Sequence, residues 1–136
     1  MKLATTACRA AALLSLAAAL AGCDRFVENQ IQKNLDRVDT AVLKDDGLTV
    51  VLCGTGSPLP DHERAGSCTA VVAGGEIFLV DVGPGSWETV DLSNLPTAAV
   101  GTVLLTHLHS DHIGDLGETM TQSWIAGRPK PLEVYG

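Results

Sequence analysis

Residues 48–136 predict an α/β domain, on three observations. Short apolar runs recur between glycines and prolines from Leu48 onward, the texture of buried strands separated by tight turns. Two longer stretches between those runs read as helices: Trp87 to Asn94, ending before Leu95-Pro96, and about Ile113 to Ala126, closed by Gly127-Arg128-Pro129-Lys130-Pro131. Strands that alternate with helices in this way build a sheet with covering helices.

The amino-terminal part is of another kind. Lys2 and Arg9 flank a short positive region, and Ala10 to Ala21 is an alanine- and leucine-rich run too short to span a bilayer, so residues 1–22 read as a signal peptide. The run ends in Leu20-Ala21-Gly22-Cys23, which resembles the lipobox of bacterial lipoproteins. That resemblance implies lipidation of Cys23 and a place in the bacterial cell envelope, anchored to a membrane and facing the periplasm. Residues 23–47 are then the anchor cysteine and a spacer helix. Val27, Ile31, Leu35, Val38 and Val42 recur at helical spacing until Asp45-Asp46-Gly47 stops them. The opposite face mixes both signs of charge, which argues against a helix lying on a membrane surface.

In the domain, "LTVVLCG" reads as a buried strand, "SCTAVVAGGEIFLVDVG" as a hairpin turning at Gly74-Gly75, "AAVGTVLLTH" as a third run and "LEVYG" as the last. Cys53 and Cys68 either form a bridge, worth about 3 kcal/mol in the chain-entropy model, or sit as small buried hydrophobes on neighbouring strands. Gly54-x-Gly56 follows a strand, but Pro58 and Pro60 forbid the helix that a dinucleotide pyrophosphate needs, so a tight turn is expected. His62 is placed in an exposed loop, and Trp87 and Trp124 are read as packing residues.

Charge narrows the partners. The formal net charge is −7. From Gly47 onward the only basic residues are Arg64, Arg128 and Lys130. Nucleic-acid binders need clustered cations to displace counterions from phosphates. Nucleic acid is therefore not the expected partner.

The chemistry lies in "THLHSDH". Three of the chain's four histidines fall within six residues. On an extended stretch His107 and His109 project to the same side, and the turn that follows lets Asp111 and His112 face a neighbouring position. Imidazole and carboxylate together suit zinc best, with iron or manganese also fitting.

His107-x-His109-x-Asp111-His112 resembles the signature of the metallo-β-lactamase fold, a four-layered αββα sandwich of hydrolases with one or two metals. "VVLCGTGSPLP" at 50–60, "AGSCTAVV" at 65–72, "LVDVGPGS" at 79–86 and the segment 124–136 are similar to the ribonuclease Z and arylsulfatase-like branch. The resemblance implies that His107 and His109 ligate a first metal and Asp111 and His112 a second, two zinc ions in a complete site. Asp111 would also orient the attacking water as a catalytic group, and Asp81 would brace the metal loop from behind. Further ligands are expected beyond Gly136, so residues 48–136 are expected to be the amino-terminal part of the domain.

This chain has Gly83-Pro84-Gly85 and His109-Ser110-Asp111-His112 where ribonuclease Z usually has G-E-G and H-G-D-H. With the acidic balance, these differences favour hydrolysis of a small phosphodiester or sulfate ester. A non-catalytic metal-binding remnant and a tRNA 3′-processing endoribonuclease are the alternatives. Replacing Cys23 by Ala is expected to move the protein out of the detergent-extracted membrane fraction, read by immunoblot of the fractions; unchanged partitioning would remove the lipid anchor.

Overall fold

The computed structural model describes residues 25–33, 36–59 and 61–136. The signal peptide, Cys23, Leu35 and Pro60 lie outside these residues. The chain divides into two units, 1–37 and 38–136. In the first, residues 25–33 form helix α1, with Phe26, Val27 and Ile31 exposed. The predicted spacer does not run as one helix to Val42. Asp39 Oδ1 accepts from the backbone N–H of Ala41 at 2.9 Å, a local bond that competes with helix continuation, and Val42 lies instead in a 3-10 turn, Ala41–Lys44. Val42 and Leu43 pack there against the core of the second unit, to which they belong. Among the described residues no helix is long and apolar enough to cross a membrane.

The second unit is built on a five-stranded sheet in the order β1 (Thr49–Gly54), β2 (Cys68–Ala73), β3 (Glu76–Val80), β4 (Val100–Leu104), β5 (Glu133–Tyr135). β1, β2 and β3 are antiparallel neighbours; β3, β4 and β5 run parallel. Gly74 and Gly75 turn the β2–β3 hairpin with φ of 58° and 82°, the left-handed geometry of a two-residue hairpin loop. Helix α2 (Ser86–Leu92) links β3 to β4, while α3 (Ser110–Ile113) and α4 (Leu116–Ile125) link β4 to β5. The helix predicted at 113–126 is α4, which begins at Leu116, and the four-residue α3 ahead of it is a separate helix that the sequence reading does not include. Gly127, at φ 101°, ends α4, and the Arg128 guanidinium folds back to donate to Ser123 Oγ at 3.0 Å and to the Met120 and Lys130 carbonyls.

Alternation along the strands sends one face inward. Cys53, Cys68, Ala70, Val72, Ile77, Leu79 and Val103 form a core with Val82 and with Trp87 and Val90 of α2. The opposite face carries Val50, Leu52 and Leu104, all exposed. β1 is therefore a half-covered edge strand rather than the fully buried one its composition predicts. One sheet with its helices is half of an αββα sandwich, a partial domain.

Cys53 and Cys68 form a disulfide across β1 and β2, next to an irregularity in the register between Leu52 and Gly54. The bridge closes a 15-residue separation. Gly54 is required there: a Cβ would lie 1.7 Å from the Gly66 carbonyl oxygen. Replacing both cysteines by Ser is expected to lower unfolding free energy by about 3 kcal/mol, measured by urea denaturation; an unchanged midpoint would show the bridge to be thermodynamically idle.

Candidate metal centre

The candidate residues gather at the carboxyl ends of the parallel pair β3 and β4, where open α/β sheets present their ligand crevices. β3 leads into Asp81-Val82-Gly83 and β4 into Leu105–Ser110, and backbone bonds sew these turns together. Asp81 N–H donates to Leu104 O at 2.9 Å, Val82 N–H to His112 O at 2.7 Å, and Asp115 N–H to Val82 O at 2.9 Å. From a third direction, Ser67 N–H donates to Asp111 O at 3.1 Å. Gly83 is where the segments touch. A Cβ on it would stand 2.1 Å from the Asp111 carbonyl oxygen, so any side chain there would push α3 away.

Asp81 lies at the centre of this arrangement, 3% exposed and with φ of 59°, a left-handed conformation uncommon for a residue with a side chain. Its Oδ1 accepts from the Thr106 backbone N–H at 2.8 Å. Its Oδ2 lies 2.9 Å from Thr106 Oγ1 and 2.8 Å from His112 Nδ1. Burial alone would raise the Asp81 pKa, but the bonds from Thr106 and His112 outweigh it and hold the carboxyl below its ordinary value of 3.8. A depressed pKa means that this stabilisation is fully present above 3.8 and is lost as pH falls through the lower folded value.

The four predicted ligands come together in two pairs. His107 Nε2 is 3.2 Å from His109 Nδ1, with the ring centroids 4.6 Å apart. Asp111 Oδ2 is 3.4 Å from His112 Nε2. Two donors each about 2.05 Å from a tetrahedral zinc lie roughly 3.3 Å apart. Either pair therefore fits two ligands of one ion, and the donor set suits zinc. Among the described residues no group of three or more His, Cys, Asp or Glu side chains is arranged to hold a metal. His107 and His109 are exposed, whereas the side chains of Asp111 and His112 are 14% and 19% exposed.

Two contributors carry no signal that isolates them in the sequence. Thr106 reads as the last residue of an apolar run, and Ser67, with Oγ 3.5 Å from Asp81 Oδ2, as a turn residue. Only the pairing of β3 with β4 brings Thr106 to Asp81. Trp87 is buried as expected, but Trp124 is 69% exposed on α4 and does no packing in the core. His62 is exposed. A cleft of about 620 Å3 lined by Trp87, Glu88, Asp91, Asp115 and Glu118 includes none of the four predicted ligands.

Comparison with known proteins places this arrangement. The family model of the metallo-β-lactamase superfamily matches residues 62–135, a span holding Asp81 and all four predicted ligands. The chain belongs to this superfamily. Ribonuclease Z of Mycobacterium marinum is 48% identical over 92 residues, which are 65% of this chain and 33% of that protein. The Mycobacterium avium ribonuclease Z is 47% identical over the same shares. Among solved structures, the human tRNase Z, short form, superposes with a TM-score of 0.58 at 30% identity, covering 64% of this chain and 33% of that one. The metallo-β-lactamase fold protein YhfI of Bacillus subtilis gives 0.51 at 26% identity, covering 57% and 32%. This superfamily member spans about a third of the length of the relatives it matches.

Replacing Asp81 by Ala strands the Thr106 and His112 donors and is expected to cost about 3 kcal/mol or more. Chemical denaturation at neutral pH measures the loss. Repeating it below pH 3.8 should show the gap between the two proteins narrowing as the wild-type carboxylate is protonated.

Proposed function

We propose that this chain is the amino-terminal part of a metal-dependent phosphodiesterase of the ribonuclease Z kind, cutting RNA at a tRNA 3′ extension. The observation that carries the reading is the pairing of His107 with His109 and of Asp111 with His112 at ligand-like separations, above the buried Asp81. The first pair would hold one ion and the second pair another. Zinc is the ion these donors suit best, with iron or manganese next.

When bound, the metals would polarise the phosphoryl oxygen and make water acidic enough to attack near neutral pH. The chain's own residues do the positioning. Asp111, on the first turn of α3, would orient the attacking water as the catalytic carboxylate, and Asp81 would hold His112 against rotation. Similarity at 47–48% to ribonucleases Z argues against the expectation, drawn from charge alone, that nucleic acid is not a partner. That expectation counted cations over part of the length such proteins have, and phosphate contacts need not be made by this part.

A small phosphodiester or sulfate ester is the second reading. It is favoured by how few cations are free: Arg64 pairs with Asp61 at 2.9 Å, Lys130 stands 3.9 Å from Glu76, and Arg128 is engaged within the chain. Attachment to an envelope membrane through lipidated Cys23 belongs to the same proposal and rests on Leu20-Ala21-Gly22-Cys23.

The test assays the full-length protein, loaded with zinc, on a 3′-extended tRNA and on bis(p-nitrophenyl) phosphate. Cleavage of both is expected, with the RNA strongly preferred, and His109→Ala should fall to background on each while remaining folded by circular dichroism. Turnover of the small ester alone would shift the function to the second reading, and full activity in His109→Ala would remove the ligand assignment.

A further inference from the structure

We infer that Thr106 is a positioning residue through which the one carboxylate of Asp81 sets the ring proton of His107 as well as that of His112. The number of protons available around Thr106 fixes where each one goes. Thr106 Oγ1 lies 3.1 and 2.9 Å from the two Asp81 oxygens and 3.1 Å from His107 Nδ1. A hydroxyl has one proton to give and two lone pairs, and an ionised carboxylate can only accept. The Thr106 proton therefore goes to Asp81.

What remains for His107 is a lone pair on Oγ1, so the contact forms only if His107 Nδ1 carries the proton. His112 reaches the same state directly, because its Nδ1 lies 2.8 Å from Asp81 Oδ2. The 3.4 Å approach of Thr106 Oγ1 to His112 Nδ1 is the longer of that nitrogen's two contacts and is not needed. Both imidazoles thus hold their proton at Nδ1 and present a bare Nε2. These two nitrogens are the ones facing His109 Nδ1 and Asp111 Oδ2.

Thr106 is itself fixed at both ends. Its backbone N–H is bound to Asp81 Oδ1, and its β-branched side chain has few rotamers to choose from. The consequence for a metal rests on the ligand roles proposed above: a proton at His107 Nε2 would block the ligand position. Losing such a supporting bond costs about 10- to 100-fold in metal affinity.

The experiment labels the histidine ring nitrogens of the full-length, metal-free protein with 15N and reads the tautomers of His107 and His112 by NMR at a pH where both rings are neutral. Zinc affinity is then measured by chelator competition. In the wild type both rings should carry Nδ1–H. Thr106→Val keeps the shape but removes the hydroxyl, so His107 should lose its preference while His112 keeps its own, and zinc affinity should fall at least about tenfold. Thr106→Ser should restore both readings. General loosening of the loop would disturb the two rings alike.

Asp81→Asn supplies a second route should Thr106→Val not fold. Oδ1 is held as an acceptor by the Thr106 N–H, so the new amide NH2 falls at the Oδ2 position. It would donate to Thr106 Oγ1 and to His112 Nδ1, which moves the His112 proton to Nε2 and leaves the Thr106 hydroxyl free to donate to His107 Nδ1 as well as to Oδ1, so His107 should lose its Nδ1–H preference. Nε2–H on His107 in the wild type, or an unchanged His107 tautomer in both variants, overturns the relay. Altered tautomers with unchanged zinc affinity overturn its role toward the metal. The tautomer readings do not depend on which ester is cleaved, so failure of the relay and failure of the proposed function are distinguishable.

Discussion

The carboxylate of Asp81 is the constraint on which the rest of the site depends. It is buried and depressed in pKa, and it accepts from a backbone N–H, a hydroxyl and an imidazole that all come from the segment following β4. A buried anion is tolerated only where donors surround it, so Thr106 and His112 are as necessary to Asp81 as it is to them. The left-handed backbone at Asp81 belongs to the same bargain. An unfavourable local conformation persists because the bonds around it over-determine its position.

How far the sequence discloses this differs by residue. His107, His109, Asp111 and His112 are legible because they lie within six residues and their types are those of metal ligands, so no long-range pairing is needed to see them together. Asp81 is legible only through the resemblance of its turn to a family. Thr106 is not, because its role exists only when β3 and β4 lie side by side. The same divide runs through the fold. The β2–β3 hairpin announces itself in Gly74-Gly75, whereas the Cys53–Cys68 bridge depends on how β1 is registered on β2, which composition leaves open. The short α3 escapes a periodicity argument because it is a single turn of four residues, parted from α4 at Gly114-Asp115. What parts the two is the backbone of Asp115 donating to Val82.

Charge gives a different lesson. Counting cations over residues 48–136 points away from nucleic acid, and the structure sharpens that count, since Arg64, Arg128 and Lys130 all face acids or carbonyls. The relatives nonetheless include ribonucleases Z that are about three times as long as the matched span. Electrostatic footprints belong to whole surfaces, while a ligand motif is a property of seven residues. A partial chain therefore preserves the second kind of signal far better than the first.

The dependence of Asp81 on residues 25 and 31 positions away bears on the order of assembly. The β2–β3 hairpin closes through a two-residue turn and can form early, but the parallel pairing of β3 with β4 must wait for the crossover through α2. Strand side chains alternate, so a slip of one residue between β3 and β4 would carry Asp81 to the wrong face of the sheet. The site then exists only in correctly registered molecules. On the ligand roles proposed for these histidines, ion capture would report late folding rather than mere collapse.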